Sequence, residues 1–301
     1  MRQTFVSVDR HQFGPWAIVT GASSGIGRAC ARHLAASGIH VVLVARRQHL
    51  LEALGRELTR DFGIQHRSVP LDLTSDRLLD PICAASDDLD IGLVISNAGE
   101  PLAGTFVATS MDTLLRQVRL DVSAPLQLTS HFAPGLAERG RGGLILVSAM
   151  GAIQGLPLAA TSAAGKSFVQ SLGEGLHGEL APLGIHVTVL MPGPTDTPVL
   201  GMMGVDPAHM PIRPISAHAC AAEGLTALVA NRPTHIAGRM ARLMYRLMPG
   251  SVSRNVARTM LANALAARAE DLSVGAPAGL GNARGNCLIP QTSKENDRGS
   301  H

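Results

Sequence analysis

Trp16-Ala17-Ile18-Val19-Thr20-Gly21-Ala22-Ser23-Ser24-Gly25-Ile26-Gly27 decides the fold. Trp16–Thr20 reads as a buried strand. Three glycines follow with the spacing Gly-x-x-x-Gly-x-Gly, and Arg28–Ala36 then reads as a helix. Glycine permits a tight turn and close backbone approach, and a helix start offers free N–H groups to a pyrophosphate. A glycine triplet alone is weak grounds. Set between a strand and a helix, it predicts a dinucleotide site.

Working outward, the same alternation recurs. Short runs rich in Val, Ile and Leu lie at His40–Ala45, His66–Leu71, Ile91–Ser96, Leu144–Ser148 and Ile185–Leu190. Each reads as a strand covered on both faces. The stretches between them are amphipathic. In Gln48–Phe62, Leu50, Leu51, Leu54 and Leu58 form one stripe, opposed by Arg47, Glu52, Arg56 and Glu57. The repetition predicts an α/β fold: a Rossmann-like doubly wound parallel sheet of about seven strands, with helices on both faces, in a single domain. Its ligand belongs at the carboxyl ends of the strands. Residues 216–230 read as a further helix, and 238–268 as one or two helices divided at Pro249–Gly250. The domain is drawn at 15–272, after a lead of residues 1–14. Residues 273–301 read as a disordered tail, with the final Arg-Gly-Ser-His as a tag remnant.

The composition narrows the function classes. Of 301 residues, 46% are hydrophobic and 16% charged, which supports a large core. With 26 basic and 23 acidic residues the net charge is only +3, too balanced for a nucleic-acid partner. Cys30, Cys83, Cys220 and Cys287 lie far apart, which predicts buried reduced thiols with no disulfide framework and no zinc site. His177 and His186 read as surface or satisfied structural groups. The first twenty residues hold no apolar leader segment. The charge-free stretch Gly142–Gly165 is broken by Gly and Pro, so it reads as strand, loop and helix start rather than a membrane span. The expected location is cytoplasmic.

Three more motifs fall in register with the glycine turn. Asp72, with Leu73, follows the third strand. Asn97-Ala98-Gly99 follows the fourth. Pro192-Gly193, with Thr195 and Thr197, follows the sixth. With these, residues from about Trp16 to about Leu247 resemble the short-chain dehydrogenase/reductase family, in particular a branch that reduces keto groups on fatty-acyl or steroid-like molecules. The resemblance implies a nicotinamide dinucleotide held at Gly21, Ser23, Ser24, Gly25, Ile26 and Gly27. It places adenine by Asp72 and nicotinamide by Pro192, Gly193, Thr195 and Thr197. It also implies a homodimer or homotetramer formed through helices at about 110–138 and 161–181, where Gly173, Gly175 and Gly178 would allow close approach.

The second strand ends Val44-Ala45-Arg46-Arg47. Relatives specific for NAD place an acid here for the ribose 2′-hydroxyl. Ala45 cannot accept a hydrogen bond, whereas Arg46, with Arg47 beside it, can pair with a 2′-phosphate. NADP(H) is therefore the expected cofactor, the alternative being that both arginines are merely solvated.

Members of this family use Ser, Tyr and Lys, with Tyr-x-x-x-Lys on one helix face, and an Asn on a preceding helix. Here Ser148 matches the Ser and Lys166 the Lys, and Lys166 also belongs to the cofactor set. Ser162 stands where the Tyr belongs, and Asp121 where the Asn belongs. A serine hydroxyl is a far weaker acid than a phenol. The only tyrosine, Tyr245, lies in a C-terminal helix, and its reaching the site from there is an alternative. Three readings follow. One is an NADP(H)-dependent oxidoreductase for a hydrophobic carbonyl or alcohol, with water replacing the phenol and Asp121 as proton source if burial raises its pKa. The second is a non-redox dehydratase, isomerase or cyclase using Asp121, Ser148 and Lys166. The third is a non-catalytic NADP(H)-binding protein.

A lid is expected at Thr197–Pro214. Its Val199, Leu200, Met202, Met203, Val205 and Met210 suit a hydrophobic substrate or, equally, a packing loop. The helix at 238–247 lines up Met240, Leu243, Met244 and Leu247, flanked by Arg239, Arg242 and Arg246. A subunit or core contact is expected there, with a membrane surface as the alternative.

Overall fold

The computed structural model describes residues 4–203, 205, 210, 212–247 and 250–274. Among the described residues nine strands form: β1 (Trp16–Thr20), β2 (His40–Ala45), β3 (His66–Pro70), β4 (Ile91–Ser96), β5 (Gly142–Val147), β6 (Ile185–Pro192), β7 (Thr195–Asp196), β8 (Ile215–Ser216) and β9 (Thr234–Ala237). The helices are α1 (Arg10–Phe13), α2 (Gly25–Ala36), α3 (Gln48–Phe62), α4 (Leu79–Ala84), α5 (Met111–Val118), α6 (Ala124–Arg139), α7 (Ala160–Leu180), α8 (Pro198–Met202), α9 (Ala217–Val229), α10 (Arg239–Leu247) and α11 (Gly250–Val274). Seven strands pair in the order β3-β2-β1-β4-β5-β6-β9, all parallel. The predicted doubly wound sheet is therefore present.

Side chains of successive strand residues point to opposite faces, so each central strand feeds two cores. Ala17 and Val19 join Leu34, Leu54 and Leu225, under α2, α3 and α9. Trp16 and Ile18 join Ile82, Leu128 and Leu136, under α4 and α6. One expected strand departs from this picture. β3 lies at the sheet edge, and of its five residues only Val69 is buried. The stretch Gly142–Gly165 is strand, 3-10 turn and helix start, and among the described residues no helix is long and apolar enough to cross a membrane. Gly173 packs α7 onto its own sheet, since a Cβ there would lie 2.4 Å from Val189, whereas Gly175 and Gly178 face open space.

The helices predicted at 238–268 are α10 and α11, and α11 runs to Val274, past the expected boundary at 272. The rest of the expected tail lies outside the described residues, as does Cys287. Cys30 and Cys220 are buried, and burial raises both thiols, Cys220 to about 12. Cys83 is not buried as expected. It is partly exposed, 3.2 Å from His131 Nε2. His177 and His186 hydrogen-bond the carbonyls of Val187 and Leu228, a structural role.

His33 of α2 is completely buried and latches the N-terminal lead. Its Nδ1 accepts from Val6 N–H at 3.2 Å, and its Nε2 meets the His218 carbonyl at the same distance. Burial disfavours the charged ring, the His218 carbonyl opposes that shift, and nearby His218 and Arg32 add to it. The pKa falls to about 4. An unfolded histidine titrates near ~6.5, so between these values the unfolded chain binds the extra proton and the folded chain does not. The stabilisation from neutral His33 is complete above ~6.5 and is lost as pH falls through about 4. Denaturant titrations from pH 7 to pH 4 should show this loss. His33→Gln, which lacks a titrating ring, should flatten the slope, and an unchanged slope would assign it elsewhere.

Candidate active site

The strand order reverses between β1 and β4, which opens a crevice at their carboxyl ends. Thr20 ties the two strands there: its Oγ1 accepts from the N–H groups of Asn97 (2.9 Å) and Ala98 (3.0 Å). Asn97 Nδ2 donates back to the Thr20 carbonyl at 2.9 Å. The glycines make room for this lock. A Cβ on Gly21 would lie 2.6 Å from Asn97 Nδ2, and one on Gly27 2.5 Å from the same atom. Gly21 (φ +66°) and Gly25 (φ +56°) hold the left-handed backbone that the turn needs. The result is an uncluttered turn leading into the N-terminus of α2, which suits a pyrophosphate.

A cavity of about 550 Å³ runs along this edge. Every predicted site residue lines it except Gly27 and Asp121. Gly27 is packed beneath the turn. Asp121 is fully buried behind Lys166.

Where β2 ends, the two arginines divide their work. Arg47 Nη2 donates to Ser23 Oγ (2.9 Å) and Ser24 Oγ (3.1 Å). Arg46, expected to pair with a 2′-phosphate, forms an ion pair with Glu100. Glu100 also faces Arg116 at 3.6 Å. Arg116 in turn donates to Asp72 Oδ2 (3.1 Å) and Thr74 Oγ1 (2.8 Å). Burial works to raise the Asp72 carboxyl, but the hydrogen bonds from Thr74 and Arg116 outweigh it and hold the group below the usual range. Glu100 and Arg116 both line the cavity and were missed. Glu100 directly follows Asn97-Ala98-Gly99, and that adjacency was the one available signal.

At the opposite end Lys166 Nζ lies 3.3 Å from Asp121 Oδ1 and donates to the Val147 carbonyl at 3.2 Å. Gln117 Nε2 donates to Asp121 Oδ2 at 2.5 Å. Asp121 sits in a π-helical turn, Arg119–Ser123, between α5 and α6. Pro125 has no N–H to give to the carbonyl of Asp121 four residues back, which favours the wider turn. Gly99 and Gly165 permit the approach, since a Cβ on Gly165 would lie 2.8 Å from the Asp121 side chain. Ser148 is buried, and its Oγ donates to the backbone carbonyl of Lys166 at 2.7 Å. Its proton is thus committed, and it offers lone pairs to the cavity. Ser162 lines the cavity one turn before Lys166. Tyr245 is 46% exposed on α10 and does not line the cavity, so the alternative of a recruited phenol is not met.

The remaining wall is apolar. Leu102, Leu156, Leu200, Met202 and Met203 line the cavity, as does Leu261 of α11. Of the expected lid, Val205 and Met210 do not line the cavity, and residues 204, 206–209 and 211 lie outside the described residues.

Residues 15–206 match the family described as short chain dehydrogenase. The inactive hydroxysteroid dehydrogenase-like protein 1 of Pongo abelii is 30% identical over 184 residues, covering 60% of this chain and 56% of that protein. The very-long-chain 3-oxoacyl-CoA reductase of Bos taurus is 29% identical over 183 residues, covering 60% of this chain and 59% of its own. The chain thus spans somewhat over half the length of these relatives. A short-chain dehydrogenase from Sphingobium yanoikuyae, solved in complex with NADPH, superposes with a TM-score of 0.70 at 26% identity, covering 90% of this chain and all of that one.

Proposed function

The chain belongs to the short-chain dehydrogenase/reductase family of oxidoreductases, and from that premise we propose that it is an NADP(H)-dependent oxidoreductase for a hydrophobic carbonyl or alcohol, working without the customary tyrosine. One observation carries this reading: a single cavity joins the glycine turn, Arg46 and Arg47, the Ser148–Lys166 pair and an apolar wall. The donor set fits the cofactor. The helix N-terminus, Ser23, Ser24 and the arginines suit phosphates, and Lys166 suits ribose hydroxyls. When bound, the nicotinamide would exchange a hydride with the carbonyl carbon. The proton for the oxygen then has to come through Ser162 and water, since a serine is too short and too weak an acid to act alone. Lys166, held by Asp121 and the Val147 carbonyl, orients this end. Ser148 accepts a hydrogen bond from the substrate alcohol.

The test is NADPH consumption with a panel of hydrophobic ketones, quinones and β-ketoacyl thioesters. Consumption with at least one supports the reading. Binding without consumption favours the third reading, a non-catalytic NADP(H)-binding protein. Ser162 in place of the phenol, and a relative named as inactive, support that third reading.

We also propose a homodimer or homotetramer built through α5, α6 and α7. Phe106, Met111, Leu115, Val118 and Leu126 stand exposed on that side, an apolar face that a second copy would cover.

Arg46→Ala should weaken NADPH about tenfold while leaving NADH nearly unchanged, because only the former carries a 2′-phosphate. Nicotinamide fluorescence titrations read both constants, and an unchanged ratio would refute the pairing.

A further inference from the structure

Where β2 ends, the cavity carries an alternating row of charges: Arg46, Glu100, Arg116 and Asp72. Two cations face two anions, so the row is neutral as it stands. A 2′-phosphate brings between one and two negative charges and needs an uncompensated guanidinium. A 2′-hydroxyl needs only an acceptor.

We propose that Glu100 sets the cofactor preference by standing on Arg46 as an internal anion, which a 2′-phosphate must displace and a 2′-hydroxyl can donate to. This rests on the reading that the cavity holds a nicotinamide dinucleotide. The position supports it. Glu100 and Arg46 both line the cavity, and Arg46 directly follows β2, where a bound dinucleotide would place its ribose. Glu100 is anchored from the other side by Arg116, 3.6 Å away. Arg116 is itself fixed by Asp72 and Thr74, so it stays in place when Arg46 is drawn to a ligand. Glu100 therefore has a second cation to fall back on, which makes the exchange at Arg46 reversible. Arg47, bonded to Ser23 and Ser24, reaches the pyrophosphate turn and is not part of the exchange. The consequence is a softened discrimination: the chain accepts NADPH less tightly, and NADH better, than Arg46 alone would dictate.

Glu100→Gln keeps the shape and removes the charge. At low salt it should tighten NADPH about tenfold and weaken NADH by a few-fold, so the ratio of the two dissociation constants moves by more than tenfold. Binding of 2′,5′-ADP against 5′-AMP should move in the same sense, with no turnover involved. In an Arg46→Ala background the effect of Glu100→Gln on the ratio should shrink to the few-fold change that the lost acceptor makes on NADH, because the cation through which Glu100 acts on the 2′-phosphate is gone. A ratio unmoved in the wild-type background, with both cofactors bound, overturns the proposal. So does the same shift persisting without Arg46, which would mark a general loop effect. Failure of the wild-type chain to bind either dinucleotide would instead sink the underlying reading, so the two failures are distinguishable.

Discussion

Ser162→Tyr should raise NADPH-dependent ketone reduction by about 10²–10⁴, the range that a positioned general acid contributes. Position 162 lies one helical turn before Lys166 on α7, so a phenol there projects from the same face. The serine already lines the cavity of about 550 Å³. The gain has a built-in limit. An ammonium lowers a neighbouring phenol's pKa, but Lys166 is already 3.3 Å from the Asp121 carboxylate, which offsets its charge. Adding Asp121→Asn should release that charge and raise the rate further at neutral pH. Single-turnover NADPH oxidation across pH would show both steps. A variant that binds NADPH with unchanged affinity yet gains nothing would mean that the substrate does not approach Ser162. A variant that loses a native non-redox reaction would point to the dehydratase, isomerase or cyclase alternative.

Lys166→Met is the second large effect, and it acts on stability as well as chemistry. Asp121 has no exposed surface, and among the described residues Lys166 and the amide of Gln117 face its charge. Removing the lysine strands a buried carboxylate, and breaking such a pair costs about 3–5 kcal/mol. Removing both charges, in Lys166→Met with Asp121→Asn, should recover most of that loss, because the desolvation of both groups goes with them. Urea denaturation of the four chains gives the coupling directly. A single-mutant loss below about 1 kcal/mol would show that the pair is solvated rather than buried.

How much of this was readable beforehand follows from what each residue answers to. The central strands β1, β2, β4 and β6 are buried on both faces, so their Val, Ile and Leu runs announce themselves. The edge strand His66–Pro70 has little burial and was placed by position rather than by character. β5 begins at Gly142, two residues earlier than expected, since glycines carry no strand signal. Gly143 is there because a Cβ would lie 3.0 Å from Phe13. The cofactor cradle was legible because it is a local pattern of strand, glycine and helix. Glu100 and Arg116 were not, because their roles arise from pairing across 44 residues of chain, Arg116 with Asp72, and across 54, Glu100 with Arg46 on another strand end. Asp121 and Lys166 were both singled out by position. Their direct pairing required the π turn at Pro125 and two glycines, which no single motif reports. Leu261 lines the cavity from α11, beyond the matched region 15–206, and left no signal at all.

The most direct measurement is a titration of the full chain with NADPH, read by nicotinamide fluorescence and repeated with Lys166→Met. Saturable binding at micromolar concentration is expected, clearly weakened in the variant, because Lys166 lines the crevice. No saturable change up to high micromolar NADPH in a folded wild-type chain would contradict it.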